Sequence, residues 1–217
     1  MRALDLFSGL GGWSAPYVER GHEVTTVDID SRFAPTVIAD VMEYEPDFQP
    51  DIILASPPCE VFSVAGRFGH WAPGYRIGGP RAAQAVALVV RTVTLILQTD
   101  PAFWIIENPV GMLRKLHLIP GERQTVTWCR YGERRRKPTD LWGGFPPSLA
   151  LRRRCNNRDQ CHNPAPRGSR TGTQGLDAAT AGKIPWELAL DVCVAAERDL
   201  RVGRTHMDYT GQLFKQP

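Results

Sequence analysis

Through roughly its first hundred residues the chain alternates short apolar runs with stretches of helical character. Few folds accept that order, because parallel strands must be joined by crossovers long enough to hold a helix. The runs at 3–7, 23–29, 36–39, 51–55, 103–106 and 124–129 predict strands, and 12–20, 81–98 and 185–201 predict helices. Pro185 opens the last helix, where its missing N–H costs nothing. The expected fold is therefore α/β and Rossmann-like, with a mostly parallel sheet. At 217 residues one domain with a modest insertion is expected. Residues 1–142 read as its core. Residues 143–183 turn to Pro, Gly, Arg, Asn and Thr without a clear period and read as a small irregular insertion. Residues 184–203 return to the core as a helix, and 204–217 form a tail.

Two of the apolar runs deliver chemically useful side chains at their ends. The run 51–55 leads through Ser56-Pro57-Pro58 to Cys59, and the run 103–106 leads to Glu107-Asn108-Pro109. A lone buried cysteine is more often a small core hydrophobe than a nucleophile. The shared strand-end position of the thiol and the carboxyl favours chemistry. Between Cys59 and Arg81 lie Gly66, Gly69, Gly74, Gly78 and Gly79, the composition of a long loop that can cover a site.

The first strand runs into Asp5-Leu-Phe-Ser-Gly-Leu-Gly-Gly12, whose three glycines let a backbone pass close to a ligand. Asp28 ends the second strand, where its carboxylate can accept from ribose hydroxyls. Asp40 ends the third and can accept from an adenine amino group. A nicotinamide cofactor also suits this skeleton, but the turn lacks the G-x-G-x-x-G spacing of a pyrophosphate cradle.

Net charge is +3, yet residues 114–170 hold fourteen lysines and arginines against four acids, an excess of +10 that leaves −7 elsewhere. Such a concentration, centred on Arg134-Arg-Arg-Lys137 and Arg152-Arg-Arg154, is the footprint expected for a phosphate backbone, or else a solvated charged face. The five cysteines form an odd, scattered set, which suits a reducing compartment. With no apolar leader before the first run, the expected location is cytoplasmic, in a bacterium or phage-infected host. The apolar stretch 82–97 is broken by Gln84 and Arg91 and reads as a buried helix. Cys129, Cys155, Cys161 and His162 have spacings unlike common structural zinc sites, so no metal is expected.

Taken in order, four segments resemble the DNA cytosine-5 methyltransferase family, with compact phage-type members as the nearest in kind. Asp5 to Gly12 is similar to that family's S-adenosylmethionine loop, and Pro57-Pro-Cys-Glu-Val-Phe-Ser-Val-Ala-Gly66 to its nucleophile segment. Glu107-Asn108 matches its Glu-Asn pair. Tyr131-Gly132, followed by a basic run to Gly144-Phe145, resembles the segment that lines the target cytosine. Glu60 and Val61 stand where the family usually has Gln and Pro, and Pro109 where it has Val. Arg135 takes the place of a Gln, while Lys137 and Thr139 take those of two arginines. Lys183-Ile-Pro-Trp186 replaces the family's Gly-Asn element.

The resemblance implies a Rossmann-like methyltransferase using S-adenosyl-L-methionine, held by Phe7, Ser8, Gly9, Leu10, Gly11, Gly12, Asp28, Ile29, Asp40, Val41 and Pro57. It implies catalysis by Cys59 as nucleophile and Glu107 as acid. DNA, double-stranded, is the implied substrate, with contacts from Ser63, Arg67, Arg135, Lys137 and Gln174. A monomer is expected, with a restriction nuclease as a possible companion and no membrane. Cytosine carbon 5 is a weak nucleophile, which a thiolate adding at carbon 6 would activate. The target base must leave the duplex for either carbon to be reached. The same chemistry on RNA or single-stranded DNA, a modified donor, and a silent DNA-binding relative remain the alternative readings.

Overall fold

The structure is a computed structural model describing residues 1–64, 69–164 and 176–206. In chain order its elements are β1 (Arg2–Leu6), α1 (Ala15–Glu19), β2 (Glu23–Asp28), β3 (Val37–Ile38) and β4 (Ile52–Ala55). A small hairpin, β5 (Trp71–Ala72) and β6 (Arg76–Ile77), precedes α2 (Pro80–Thr99) and β7 (Phe103–Pro109). Then come β8 (Glu122–Thr127), β9 (Pro138–Gly144), α3 (Ala178–Gly182) and α4 (Trp186–Arg201). Seven strands make one sheet in the order β3-β2-β1-β4-β7-β9-β8. The first five are mutually parallel, and β9 runs antiparallel to both its neighbours. The expected α/β class and mostly parallel sheet are both present.

The central strands read as unbroken apolar runs because helices cover both faces. Ile52, Leu54, Phe103 and Ile105 point to one face, where Trp13, Tyr17, Leu188 and Val192 complete a core under α1 and α4. Ile53, Ala55, Trp104 and Ile106 point to the other, against Ala85, Val89, Leu95 and Ile96 of α2. Along α2 the buried positions 82, 85, 89, 92, 95 and 96 recur at helical spacing, so the helix lays a single stripe on the sheet. Pro80 sits in its first turn and Asp100 closes it in the left-handed conformation.

Two differences from the sequence expectation have physical causes. The strand expected at 103–106 runs on to Pro109, so Glu107 lies within β7, opposite Leu141, and not beyond its end. β9 is unforeseen, since Pro138-Thr-Asp-Leu-Trp-Gly-Gly144 contains residues that disfavour strands. Close approach explains its glycines: a β-carbon on Gly143 would lie 2.4 Å from the Trp104 carbonyl oxygen. Asp140 is tolerated because Arg114 Nε donates to it at 2.8 Å and Thr125 Oγ1 at 2.7 Å. β9 also carries the chain past residue 143, where the insertion was expected to begin.

Asp5 lies inside β1 and is 1% exposed. Burial pushes its carboxyl up to about 7, a rise that Ser14 only partly offsets. The folded state therefore keeps a proton that the unfolded chain releases. Its stability is fullest below the ordinary carboxyl value and falls as pH climbs from about 4 to about 7. A tenfold difference in proton affinity between folded and unfolded chains corresponds to about 1.4 kcal/mol, and relaxation around the buried group reduces what is realised. Asp5→Asn is expected to flatten the decline and to gain on the order of 2 kcal/mol at pH 8. Urea unfolding of both proteins at pH 5 and 8 measures it, and an equal loss of stability in the two would refute the assignment.

Candidate active site

Connections from β1 and β4 leave the sheet in opposite directions, and a cleft opens at their carboxyl ends, as it does in open parallel sheets generally. Its volume is about 900 Å³, within the range of small-molecule sites. One wall is the turn after β1. Phe7, Gly9 and Gly11 take positive φ values of 58°, 48° and 65°, which curl the backbone around the cleft. Gly9 N–H donates to Asp28 Oδ2 at 2.8 Å and Asp30 N–H to Asp28 Oδ1 at 2.9 Å, fixing the carboxylate at the rim of the turn. Each oxygen retains a lone pair for a ligand hydroxyl. Gly12 is held against the return segment, since a β-carbon there would sit 2.5 Å from the Ile184 amide nitrogen.

The opposite wall is the loop after β4. Asn108 Nδ2, fully buried in β7, donates to the Pro57 carbonyl at 2.9 Å and fastens this loop to the neighbouring strand. Trp13 Nε1 donates to Ser56 Oγ at 3.1 Å, tying it to the glycine turn as well. Beyond Cys59 the chain is pinned rather than loose. Phe62 is completely buried, its carbonyl accepts from Met112 N–H at 2.6 Å, and Trp71 Nε1 donates to the Val61 carbonyl at 2.8 Å. Part of the glycine-rich loop is thus the β5–β6 hairpin, packed on the nucleophile segment through Phe62 and Trp71.

Cys59, Glu107 and Lys137 all line the cleft. Glu107 is 4% exposed, and among the described residues its Oε1 has no hydrogen-bond partner. Burial raises its carboxyl above the usual range, with Lys137 pulling the other way. The half-buried Cys59 thiol is raised by burial and then by the negative charge of Glu107, and lowered by Lys137. Burial in turn depresses the Lys137 ammonium, while Glu107 and Cys59 support its charge. Its Nζ lies 3.4 Å from the Trp128 ring centroid and donates to the Ala181 carbonyl at 3.0 Å. The three groups therefore share one electrostatic balance: a carboxyl and a thiol both raised by burial, and a cation that favours ionisation of each.

Of the residues expected to hold a cofactor, Phe7, Ser8, Gly9, Leu10, Gly12, Asp28, Ile29, Asp40, Val41 and Pro57 line this cleft. Gly11 turns the chain behind it. Lys137 is the one expected DNA contact, among the described residues, on the cleft. Arg135 is placed elsewhere: it is buried, its guanidinium 5.5 Å from the Trp128 ring centroid and bonded to the Ala181 carbonyl at 3.3 Å. Ser63 caps the turn after Cys59, its Oγ donating to the Glu60 carbonyl at 3.2 Å. Arg67 and Gln174 lie outside the described residues. Lys183 and Ile184 also line the cleft, and sequence reasoning did not foresee them. Only their position before the last helix hinted at it.

A Rossmann-like sheet with a glycine turn facing a cysteine and a buried glutamate defines a methyltransferase fold. The family model described as C-5 cytosine-specific DNA methylase matches residues 1–120, more than half of the chain, and the chain belongs to that family. It is 29% identical over 180 residues to the probable DNA (cytosine-5)-methyltransferase of Frog virus 3 (isolate Goorha), covering 76% of this chain and 81% of the viral one. It is 27% identical over 134 residues to the type II methyltransferase M.HgiGI of Herpetosiphon aurantiacus, covering 54% of this chain and 98% of that protein. Among solved structures, the Entamoeba histolytica methyltransferase EhMeth superposes with a TM-score of 0.47 at 15% identity, over 74% of this chain and 55% of its own. The chain thus spans about half of that structure's length.

If Lys137 lowers the Cys59 thiol, Lys137→Met moves it further up, and Glu107→Gln moves it down by removing the opposing charge. Alkylation of Cys59 by iodoacetamide near neutral pH, followed by peptide mass spectrometry, is expected to slow several-fold in the first variant and to quicken in the second. Equal rates in all three proteins would show that the groups do not share a field.

Proposed function

We propose that this chain transfers the methyl group of S-adenosyl-L-methionine to carbon 5 of cytosine in DNA, through a covalent adduct on Cys59. The observation that carries the reading is the meeting of Cys59, Glu107 and Lys137 in the cleft that the glycine turn also lines. The residues present fit the cofactor: the positive-φ turn allows close approach, and Asp28 offers lone pairs toward ribose hydroxyls. Asp40 and Val41 also line the cleft and would hold the adenine end of the cofactor. When bound, the sulfonium supplies an electrophilic methyl group.

The chain's own residues do the rest. Cys59 Sγ, as thiolate, bonds to carbon 6 of the ring, and the electron pair of the 5,6 double bond becomes available at carbon 5. Glu107, whose carboxyl burial raises above the usual range, donates in its protonated form to ring nitrogen 3 and offsets the charge that builds there. Lys137 stabilises the thiolate before the attack. After carbon 5 has gained the methyl group it gives up its proton to a base, with water sufficient for the task. Cys59 then leaves as the double bond re-forms. Such a route requires the target nucleotide to swing out of the duplex. Four exposed arginines, Arg134, Arg153, Arg154 and Arg158, offer phosphate contacts. The type II names among the relatives are consistent with a companion nuclease, and five free cysteines with a reducing cytoplasm.

Duplex DNA carrying 5-fluorocytosine tests the reading directly, because fluorine cannot leave as the proton does. A chain–DNA adduct at Cys59 is expected by intact-mass measurement. Cys59→Ala is expected to form none and to transfer no methyl groups while still binding S-adenosylmethionine. Glu107→Gln is expected to lower turnover by about 10²–10⁴-fold. Methyl transfer by Cys59→Ala at the normal rate would sink the mechanism. Adducts with RNA or single-stranded DNA alone would move the substrate class.

A further inference from the structure

We infer that Cys129, Cys155, Cys161 and His162 form a tetrahedral zinc site that clamps the basic insertion to the catalytic core. Sequence spacing argues against it, since twenty-five residues separate the first two cysteines, and a cysteine and histidine adjoin in the chain. The fold removes that objection. Cys129 lies in the short 3-10 turn Trp128–Tyr131 just past β8, and the loop after β9 brings the other three back to it. The ligand atoms of all four lie within 4.8 Å of one another.

Three of their separations match those of a coordination shell and a fourth is 0.3 Å shorter. Zinc bonds of about 2.3 Å to sulfur and 2.0 Å to nitrogen place tetrahedral ligands roughly 3.5–3.8 Å apart. Here Cys129 Sγ is 3.2 Å from Cys155 Sγ and 3.5 Å from Cys161 Sγ. His162 Nδ1 is 3.8 Å from Cys155 Sγ and 3.6 Å from Cys161 Sγ. None of the sulfur pairs is bonded, all five cysteines being free. Three sulfurs and an imidazole gathered within 4.8 Å suit zinc, and four protein ligands leave no position open, which makes the site structural.

The surroundings are built to support it. Cys155 N–H donates to Thr127 Oγ1 at 3.0 Å, and Arg136 Nη2 donates to the Cys155 carbonyl at 3.3 Å. Asn163 N–H donates to the Arg134 carbonyl at 2.8 Å, and Arg130 pairs with Asp159 at 2.5 Å. Zinc with three thiolates carries a net charge of about −1, and Arg130 and Arg136 stand beside it. The proposed clamp therefore joins the end of β8 and the segment before Lys137 to residues 155–162. Metal would fix the insertion relative to Lys137 and Trp128, on the wall of the cleft.

The full chain, purified under reducing conditions and passed through a gel-filtration column with a mild chelator, is expected to retain about one zinc per chain by elemental analysis. After stripping with a strong chelator and adding cobalt, it is expected to develop the visible bands of tetrahedral thiolate-bound cobalt. Cys161→Ser and His162→Ala are each expected to lose most of the zinc, and His162→Cys to keep it. Trypsin cleavage after Arg153, Arg154 or Arg158 is expected to quicken several-fold on stripping. Should a cysteine variant not fold, the cobalt titration of the unmodified chain decides. A zinc-free chain that shows no cobalt thiolate bands overturns the proposal, whether or not Cys129 and Cys155 oxidise to a disulfide. So does zinc content that neither substitution changes. Cleavage indifferent to metal would overturn the clamping role.

Discussion

Burying the carboxyl of Glu107 beside the thiol of Cys59 is the constraint around which the rest is arranged. Left alone, the pair would work against itself: burial that raises the carboxyl also raises the thiol, and any charge on one disfavours charge on the other. Lys137 resolves the conflict by adding a cation that favours both anionic forms, most usefully the thiolate. That ammonium is itself partly desolvated, and the Trp128 ring and the Ala181 carbonyl hold it in place. A chain of dependence follows. Lys137 precedes β9, and β9 lies between β7 and β8 because its glycines allow it to approach Trp104.

Positioning the thiol depends on a second set of contacts that chemistry alone would not demand. Asn108, adjacent to Glu107, reaches across to the Pro57 carbonyl, so the strand that carries Glu107 also holds the loop that carries Cys59. Trp13 ties the same loop to the glycine turn through Ser56. Three strand ends are therefore coupled by two buried side chains, and the relative placement of the glycine turn, Cys59 and Glu107 is set by the sheet register. Precision of this kind is what makes positioning contribute to rate.

Much of this was legible in the sequence, because it rests on local patterns. Apolar runs with helical spacers specify the parallel half of the sheet, and Cys59, Glu107 and the glycine turn sit where those runs stop. What was not legible depends on contacts between distant segments. β9 reads poorly as a strand because its Asp140, Gly143 and Gly144 are accepted for tertiary reasons, the ion pair with Arg114 and the close passage of Trp104 in β7. The return segment at Lys183 and Ile184 carries no signature of lining a cleft. Cys129 was visible in the sequence as a partner for Cys155, Cys161 and His162, but the spacing spoke against the set until the fold brought the four together.

Contacts between distant segments also change how the charge excess of the second half should be read. As a sequence feature, fourteen cations between residues 114 and 170 look like one phosphate-binding surface. In the fold, Arg114 is engaged by Asp140, Arg130 by Asp159, and Arg136 by the Cys155 carbonyl. Arg135 packs on Trp128 and bonds Ala181, while Arg152 binds Glu187 and Asp191 of α4 and lies over Tyr131. All of these but Arg114, which braces β9, knit an insertion with little hydrophobic core to the rest of the fold, a task apolar residues perform elsewhere in the chain. Among the described residues, exposed Lys115, Arg123, Arg134, Arg153, Arg154 and Arg158 are left to face a polyanion. Three of them flank Cys155, so holding the insertion together and presenting charge to DNA become a single structural problem, and a metal at the cysteines would solve both parts at once.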